Sequence, residues 1–372
     1  MRTLLKSEQN FRECLISQVT VAVIALMLLC GSNVRAQSAP ATPTQFELND
    51  THFHLTNYVQ QGTDIHKFLE IMGNKVGRVA LFGIPLQQQW SYRVDGDRAP
   101  TYYLNTDAPL YYYSFTDAWI ATAYKSLTPA EQARFDPMIT GFNPTDMYAV
   151  DHIRRVLQAF PGVFSGIGEF SIHKEFVSAK IAGEVASLRD PALDKILDFC
   201  AEVGLVVLLH NDMDVPFAKE GSQPAYLGEM KALFKRHPKT TIIWAHTGMG
   251  RIVRPIKNHA ANIAEILADP EFNHVYFDIS WDEVAKYIVS SPEATRTAVD
   301  LINRYPDRFL FGTDEVAPQD QQKYLRVYYQ YGPLWQLLNK EASTKVRKEN
   351  YERIFDAARL KVRSWERAQA SH

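Results

Sequence analysis

The feature that most constrains this chain is a repeated alternation. Eight short, near-continuously apolar runs are separated by segments of helical periodicity. The runs fall at 46–55, 77–85, 134–144, 162–170, 204–212, 240–248, 273–280 and 308–315. Between them, segments such as 64–73, 150–162, 191–204, 225–238 and 293–306 place apolar residues at i, i+3 and i+4, and most stop at Gly or Pro. Strands that are apolar throughout, rather than alternating, suit a parallel sheet covered on both faces. Eight strands alternating with helices allow a barrel or a large doubly wound sheet. The count favours the barrel, and so does the placement of polar residues. His52, Glu169, His210, His246 and Asp314 each close an apolar run, and barrels build their sites on the C-terminal rim of the strands. A dinucleotide-binding sheet lacks support, because Gly166-Ile-Gly168 and Gly248-Met-Gly250 have no third glycine at the required offset. The expected fold is α/β, a (β/α)8 TIM barrel with an enlarged loop after the second strand.

The first 36 residues stand outside this pattern. Arg2, Lys6 and Arg12 precede an apolar run from Val19 to Cys30, and Val34 and Ala36 lie where small residues precede a cleavage site. The run is too short to span a bilayer comfortably, so 1–36 reads as a secretory signal peptide and 37–45 as a Pro/Ser/Thr/Ala linker. The domain then occupies 46–372, and the protein is expected to be exported, periplasmic or secreted. The leader takes with it Cys14 and Cys30, leaving Cys200 in an amphipathic helical pattern as a buried core thiol and no internal disulfide. Removing four basic and two acidic residues from 40 and 42 moves the net charge from −2 to −4. No basic field points to nucleic acid, and no membrane partner is expected once the leader is gone. A small-molecule substrate is the expected partner, with a homo-oligomer left open.

Two segments depart from simple alternation. Residues 86–130 are rich in Tyr, Trp, Gln and Asn, are too long for a plain loop, and would emerge on the site rim. They read as a lid-like insertion or as a surface ornament. Residues 343–369 form a charged amphipathic pattern with Tyr351, Ile354, Phe355, Ala358 and Leu360, expected to be structural.

His52 and His54 form an H-x-H at the end of the first run, and alternate strand residues point the same way, so both imidazoles can meet one ion. With His210, His246 and Asp314 at later strand ends, four imidazoles and a carboxylate converge on the barrel mouth. An apolar barrel would not gather such groups for packing, because unpaired polar groups there are costly. The donor set suits zinc, and also manganese, iron or nickel.

These residues carry a resemblance. Asp50-Thr-His52-Phe-His54, Leu209-His210-Asn211-Asp212, Trp244-Ala-His246-Thr-Gly-Met-Gly-Arg251 and Phe311-Gly-Thr-Asp314 resemble, in order and placement from about 46 to 320, the amidohydrolase superfamily of metal-dependent barrel hydrolases. The texture is most similar to its amidohydrolase-related branch, which also includes decarboxylases similar to aminocarboxymuconate semialdehyde decarboxylase. The resemblance implies that His52, His54, His210 and Asp314 hold a catalytic metal. It implies that Asp314 moves the proton of an activated water. It also implies that His246 binds a second metal or hydrogen-bonds the water and developing oxyanion. One departure is that the fourth strand carries Glu169 where binuclear members often place a bridging lysine. Glu169 is either a metal ligand or a partner of a ligating histidine, and one metal, or a loosely held pair, is expected.

Around this set, Arg251 and Trp281 are candidate substrate-binding residues. Asp278 is a candidate pocket wall, and Asp212 or Asp214 a candidate partner of the His210 ring. His173 and Lys174 lie in the loop after Glu169, where they could reach the pocket but read first as solvated loop residues. Asp50 reads as support for the ligands. His152, His237, His259 and His274 read as structural. The leading expectation is an exported metal-dependent hydrolase of an amide, lactone or ester. A non-oxidative decarboxylase on the same site, and a barrel that binds metal without catalysis, are the alternatives.

Overall fold

The structure is a computed structural model that describes residues 46–57, 61–84, 115–174, 177–178, 186–219, 222–250, 256 and 258–370. The leader, the linker, Arg251 and most of the insertion (85–114) lie outside the described residues. Phe46–His372 form one compact unit.

All eight expected runs become strands of one parallel sheet. They are β1 Leu48–His54, β2 Val76–Phe82, β3 Phe135–Ile139, β4 Gly166–Ser171, β5 Val206–His210, β6 Ile242–Trp244, β7 Val275–Asp278 and an interrupted eighth strand. That last run is split into β8 Phe309–Leu310, which pairs with β7, and β9 Glu315–Val316, which pairs with β1. The neighbours follow chain order throughout, so the sheet closes on itself as a TIM barrel. Asp314 lies in the break. Its amide donates to the His52 carbonyl at 2.7 Å, and the Thr51 amide donates to the Phe311 carbonyl at 3.1 Å. The break is possible because residue 312 is glycine: a Cβ there would lie 2.7 Å from the His52 Cβ.

The expected helices form at Ile65–Met72, Ala149–Ala159, Pro191–Val203, Leu227–Arg236 and Pro292–Arg304. Local chemistry sets their ends. The Asp64 side chain accepts from the His66 and Lys67 amides, Ser291 accepts from Ala294, and Gly204 closes its helix at φ 88°. Cys200 is fully buried on the inner face of its helix, as its periodicity predicts.

The C-terminal helix Asn350–Ala370 covers the barrel's N-terminal mouth. Tyr351, Ile354, Phe355 and Ala358 pack with inward residues of the strands, among them Ala80, Met138, Val206, Leu208 and Leu310. Leu360, expected on this stripe, is instead 74% exposed. Of the insertion, 115–130 contributes the helix Phe115–Lys125 and the start of a short turn of helix. Asp117 of that helix accepts the Thr140 and Gly141 amides just beyond β3 at 2.8 and 2.9 Å. Asp117 thus ties this part of the insertion to the barrel top.

Candidate metal centre

The strand ends bring one dense group of ionisable side chains together. His52 and His54 extend from the same side of β1, with ring centroids 5.4 Å apart above Phe82. Asp314 Oδ1 lies 3.2 Å from His52 Nε2 and 3.1 Å from His54 Nε2. Glu169 Oε2 lies 3.7 and 3.6 Å from the same two nitrogens. One donor atom from each of His52, His54, Glu169 and Asp314 lies within 4.8 Å of the others.

Glu169 is set within β4 rather than at its end. Gly168 places it: φ there is 119°, and a Cβ would meet the Leu208 carbonyl oxygen at 2.2 Å. The other Glu169 oxygen, Oε1, lies 2.6 Å from His210 Nδ1. His210 Nε2 is in turn 3.0 Å from Asp212 Oδ1. His210, expected as a metal ligand, contacts Glu169 and Asp212 through its two ring nitrogens, and it also forms a second group with Glu169 and His246 whose donor atoms lie within 4.8 Å of one another. Asp212 is thus the partner of the His210 ring. Asp214 accepts the Val215 and Ala225 amides instead.

Three buried side-chain atoms in this space lack a hydrogen-bond partner: His52 Nε2, Glu169 Oε2 and His246 Nε2. Buried polar groups are ordinarily paired. Orphans of this type, converging with a second imidazole and a carboxylate, fit a divalent cation with nitrogen and oxygen ligands. The charges of the group shift one another. Burial opposes charge on His52, but Asp314 and the contacts to Asp278 and Glu169 hold its pKa well above the ordinary imidazole value. Burial would raise Glu169, but the Lys174 charge and the surrounding histidines hold it well below the usual carboxylate range. Burial would likewise raise Asp314, and His52, His54 and His246 hold it well below. The carboxylates are therefore ionised, as ligands must be.

Behind the group stands a second tier that the sequence signals less directly. Asp278, expected as a pocket wall, is fully buried. Its Oδ2 lies 3.0 Å from His52 Nδ1, and its Oδ1 accepts the His246 amide at 2.7 Å and the Ser280 hydroxyl at 2.6 Å. Ser280 Oγ lies 2.9 Å from His246 Nδ1. Nothing in the sequence reading singled out Ser280, although Asp278-Ile-Ser280 has the same alternate spacing as the H-x-H. Lys174, expected in solvent, is buried with Nζ 3.5 Å from Glu169 Oε1 and 5.6 Å from the Trp281 ring. His173 stacks on Tyr226 at 3.9 Å. Asp50 accepts the His52 and Thr313 amides and the Thr313 and Tyr324 hydroxyls, tying β1 to the segment that carries Asp314. Its burial raises its pKa to about 6.

His246 lies beyond β6 in a short 3-10 turn, at φ 58°. Trp281 has φ 77° and Asp314 φ 52°. Left-handed backbone at bulky residues is costly, and such strain clusters at functional sites. The Trp281 ring lies 5.1 Å from the His246 ring and is nearly buried. His237 pairs with Asp194 and Asp198, and His259 meets the carbonyl of Thr247, the residue after His246.

A barrel whose C-terminal rim gathers histidines and carboxylates in this way defines a class of metal-centred α/β proteins. The family model described as amidohydrolase matches residues 50–357, and the chain belongs to that family. No curated protein sequence matches it. Among solved structures, it is similar to a protein of Pseudomonas putida provisionally assigned as a 2-pyrone-4,6-dicarboxylic acid hydrolase. That match has 13% identity and a TM-score of 0.51, covering 84% of this chain and 98% of the other. It is also similar to an uncharacterised TIM-barrel protein of Bordetella bronchiseptica, at 14% identity and a TM-score of 0.52 over 84% and 99%. A 2,6-dihydroxybenzoate decarboxylase bound to 2,6-dihydroxybenzoate matches at 12% identity and 0.52 over 84% and 99%. At these identities the likeness is one of fold.

Proposed function

We propose that the protein is a metal-dependent hydrolase that cleaves an amide, lactone or ester bond of a small molecule. The observation that carries this reading is the convergence of the orphaned His52 Nε2 and Glu169 Oε2 on the His54 and Asp314 contacts. His52, His54, Glu169 and Asp314 would hold a divalent cation, zinc by the character of the donors. When bound, the cation supplies Lewis acidity, polarising a carbonyl oxygen and easing deprotonation of a nearby water.

The chain's own residues do the rest. Asp314 is the proton acceptor and later the proton donor to the leaving group. It is kept ionised by its histidine neighbours, and its side chain, at 10% exposure, reaches further toward solvent than His52, His54 or Glu169. Asp278 orients His52. Glu169 and Asp212 fix the His210 ring. Trp281 forms an apolar wall beside His246 and limits water at the reacting carbon. The N-terminal leader supports export to the periplasm or the exterior. Protein recovered from an extracellular or periplasmic extract should then begin at Gln37, whereas an intact Met1 would refute that reading.

The test is turnover of a panel of lactones, amides and esters by the zinc-loaded chain. Asp314→Asn should lower turnover by about 10²–10⁴-fold without loss of fold. Turnover equal to that of the native chain would defeat the proposal. One observation favours a decarboxylase as the second reading: the Lys174 ammonium, paired with Glu169 beside Trp281, adds a cation to the same group that a substrate carboxylate could share. CO₂ release from aromatic carboxylic acids, without hydrolysis of the panel, would establish that reading instead.

A further inference from the structure

We propose that Ser280 is a positioning residue that fixes His246 as its Nδ1–H tautomer and leaves the Nε2 lone pair facing the reaction space. The inference deepens the hydrolase reading and rests on it for its consequence, though not for its test.

The hydrogen-bond directions follow from a proton count. Ser280 Oγ is 2.6 Å from Asp278 Oδ1, 2.9 Å from His246 Nδ1 and 3.2 Å from His52 Nδ1. A hydroxyl has one proton to donate and two lone pairs with which to accept. The carboxylate is the strongest acceptor of the three and the closest, so the serine proton goes to Asp278. The oxygen then has only lone pairs to offer, and His246 Nδ1 must carry a proton to meet them. His246 Nε2 is buried without a partner. Its nearest carboxylate oxygens, Glu169 Oε1 and Asp314 Oδ2, stand at 3.6 and 3.9 Å, beyond hydrogen-bond length. A proton on Nε2 would be buried with no acceptor within hydrogen-bond length, so the ring protonated on Nδ1 presents a bare Nε2.

The consequence concerns role. A bare Nε2 can ligate a cation or accept a proton, but it cannot donate a hydrogen bond to a developing oxyanion while the ring is neutral. One carboxylate, Asp278, would thus orient two rings, His52 directly and His246 through Ser280.

The experiment is long-range ¹H–¹⁵N spectroscopy of the metal-free full chain with ¹⁵N-labelled histidine rings. His246→Gln assigns the signal. In the native chain the His246 proton should sit on Nδ1, the reverse of the Nε2–H form that a free histidine side chain prefers in water. Ser280→Ala should shift the ring to Nε2–H or to a mixture, and Ser280→Thr, which keeps the hydroxyl, should restore Nδ1–H. On a substrate found by the panel above, Ser280→Ala should lower kcat by about 10–100-fold, the usual effect of removing such a support, with a smaller change in KM. An Nε2–H tautomer in the native chain overturns the proposal without recourse to any variant. So does a Ser280→Ala ring unchanged from native. Either result leaves the hydrolase reading standing, because the spectrum is read without substrate.

Discussion

The two mouths of the barrel each bury carboxylates, and they treat them in opposite ways. At the N-terminal mouth, Asp136 is fully buried and fully answered. Arg78 donates to both its oxygens at 2.9–3.1 Å, Tyr351 donates at 2.7 Å, and Arg359 adds a further contact. At the C-terminal mouth, Glu169 is equally buried, yet one of its oxygens has no partner and neither do two nearby imidazole nitrogens. A stability network leaves nothing unpaired, because each orphan costs desolvation energy. A site for an exogenous group must leave donors open. The same residue type thus reads as structural or functional by its unmet valence, rather than by its burial.

The largest effect should come from breaking the satisfied end. Asp136→Ala strands Arg78 and Arg359 beside an apolar gap and should cost about 3–5 kcal/mol in denaturant unfolding. Zinc affinity, measured on the folded fraction, should be unchanged. A variant as stable as the native chain would erase the contrast between the two mouths.

Glu169→Gln probes the open end. It should weaken zinc binding in chelator competition by about 10–100-fold, while the metal-free chain loses less stability than Asp136→Ala does, because Gln keeps the volume and a contact to His210. A fall in stability like that of Asp136→Ala would mean that Glu169 is a packing residue.

An effect confined to one pH window belongs to a carboxylate that joins both descriptions. Asp117 sits at the C-terminal rim, but it is answered by two backbone amides, and burial raises its pKa from 3.8 to about 7. A folded pKa above the unfolded one means that the native state holds the proton more tightly. Stability attributable to Asp117 is therefore greatest below about pH 4 and falls as pH rises to about 7. Unfolding measured at intervals from pH 4 to 8 should show the native chain losing ground to Asp117→Asn over that window and not beyond it. A constant gap would mean that this carboxyl titrates normally.

Much of this was legible before any coordinates. The eight strands, the H-x-H and Asp314 follow from apolar periodicity and its punctuation, because strand geometry converts spacing directly into direction. The His210–Asp212 pair was also within reach, since a single residue separates them. What escaped was long-range. The Asp278 contact to His52 spans 226 positions, and Ser280 gains meaning only once β7 lies beside β6. Lys174 looked solvated because a Lys three residues past a strand usually is. Its burial depends on Glu169 and Trp281 meeting it from elsewhere in the chain. His210 shows the converse: its place at a strand end follows from the sequence, whereas its contact with Glu169 spans 41 positions.

The central claim is that His52, His54, Glu169 and Asp314 form the seat of a divalent cation. Anomalous diffraction from crystals grown with zinc tests it most directly. The account predicts a strong peak in contact with His52 Nε2, His54 Nε2, Glu169 Oε2 and Asp314 Oδ1, at distances of about 2.0–2.2 Å. A zinc-saturated crystal with no density among those four side chains would contradict it.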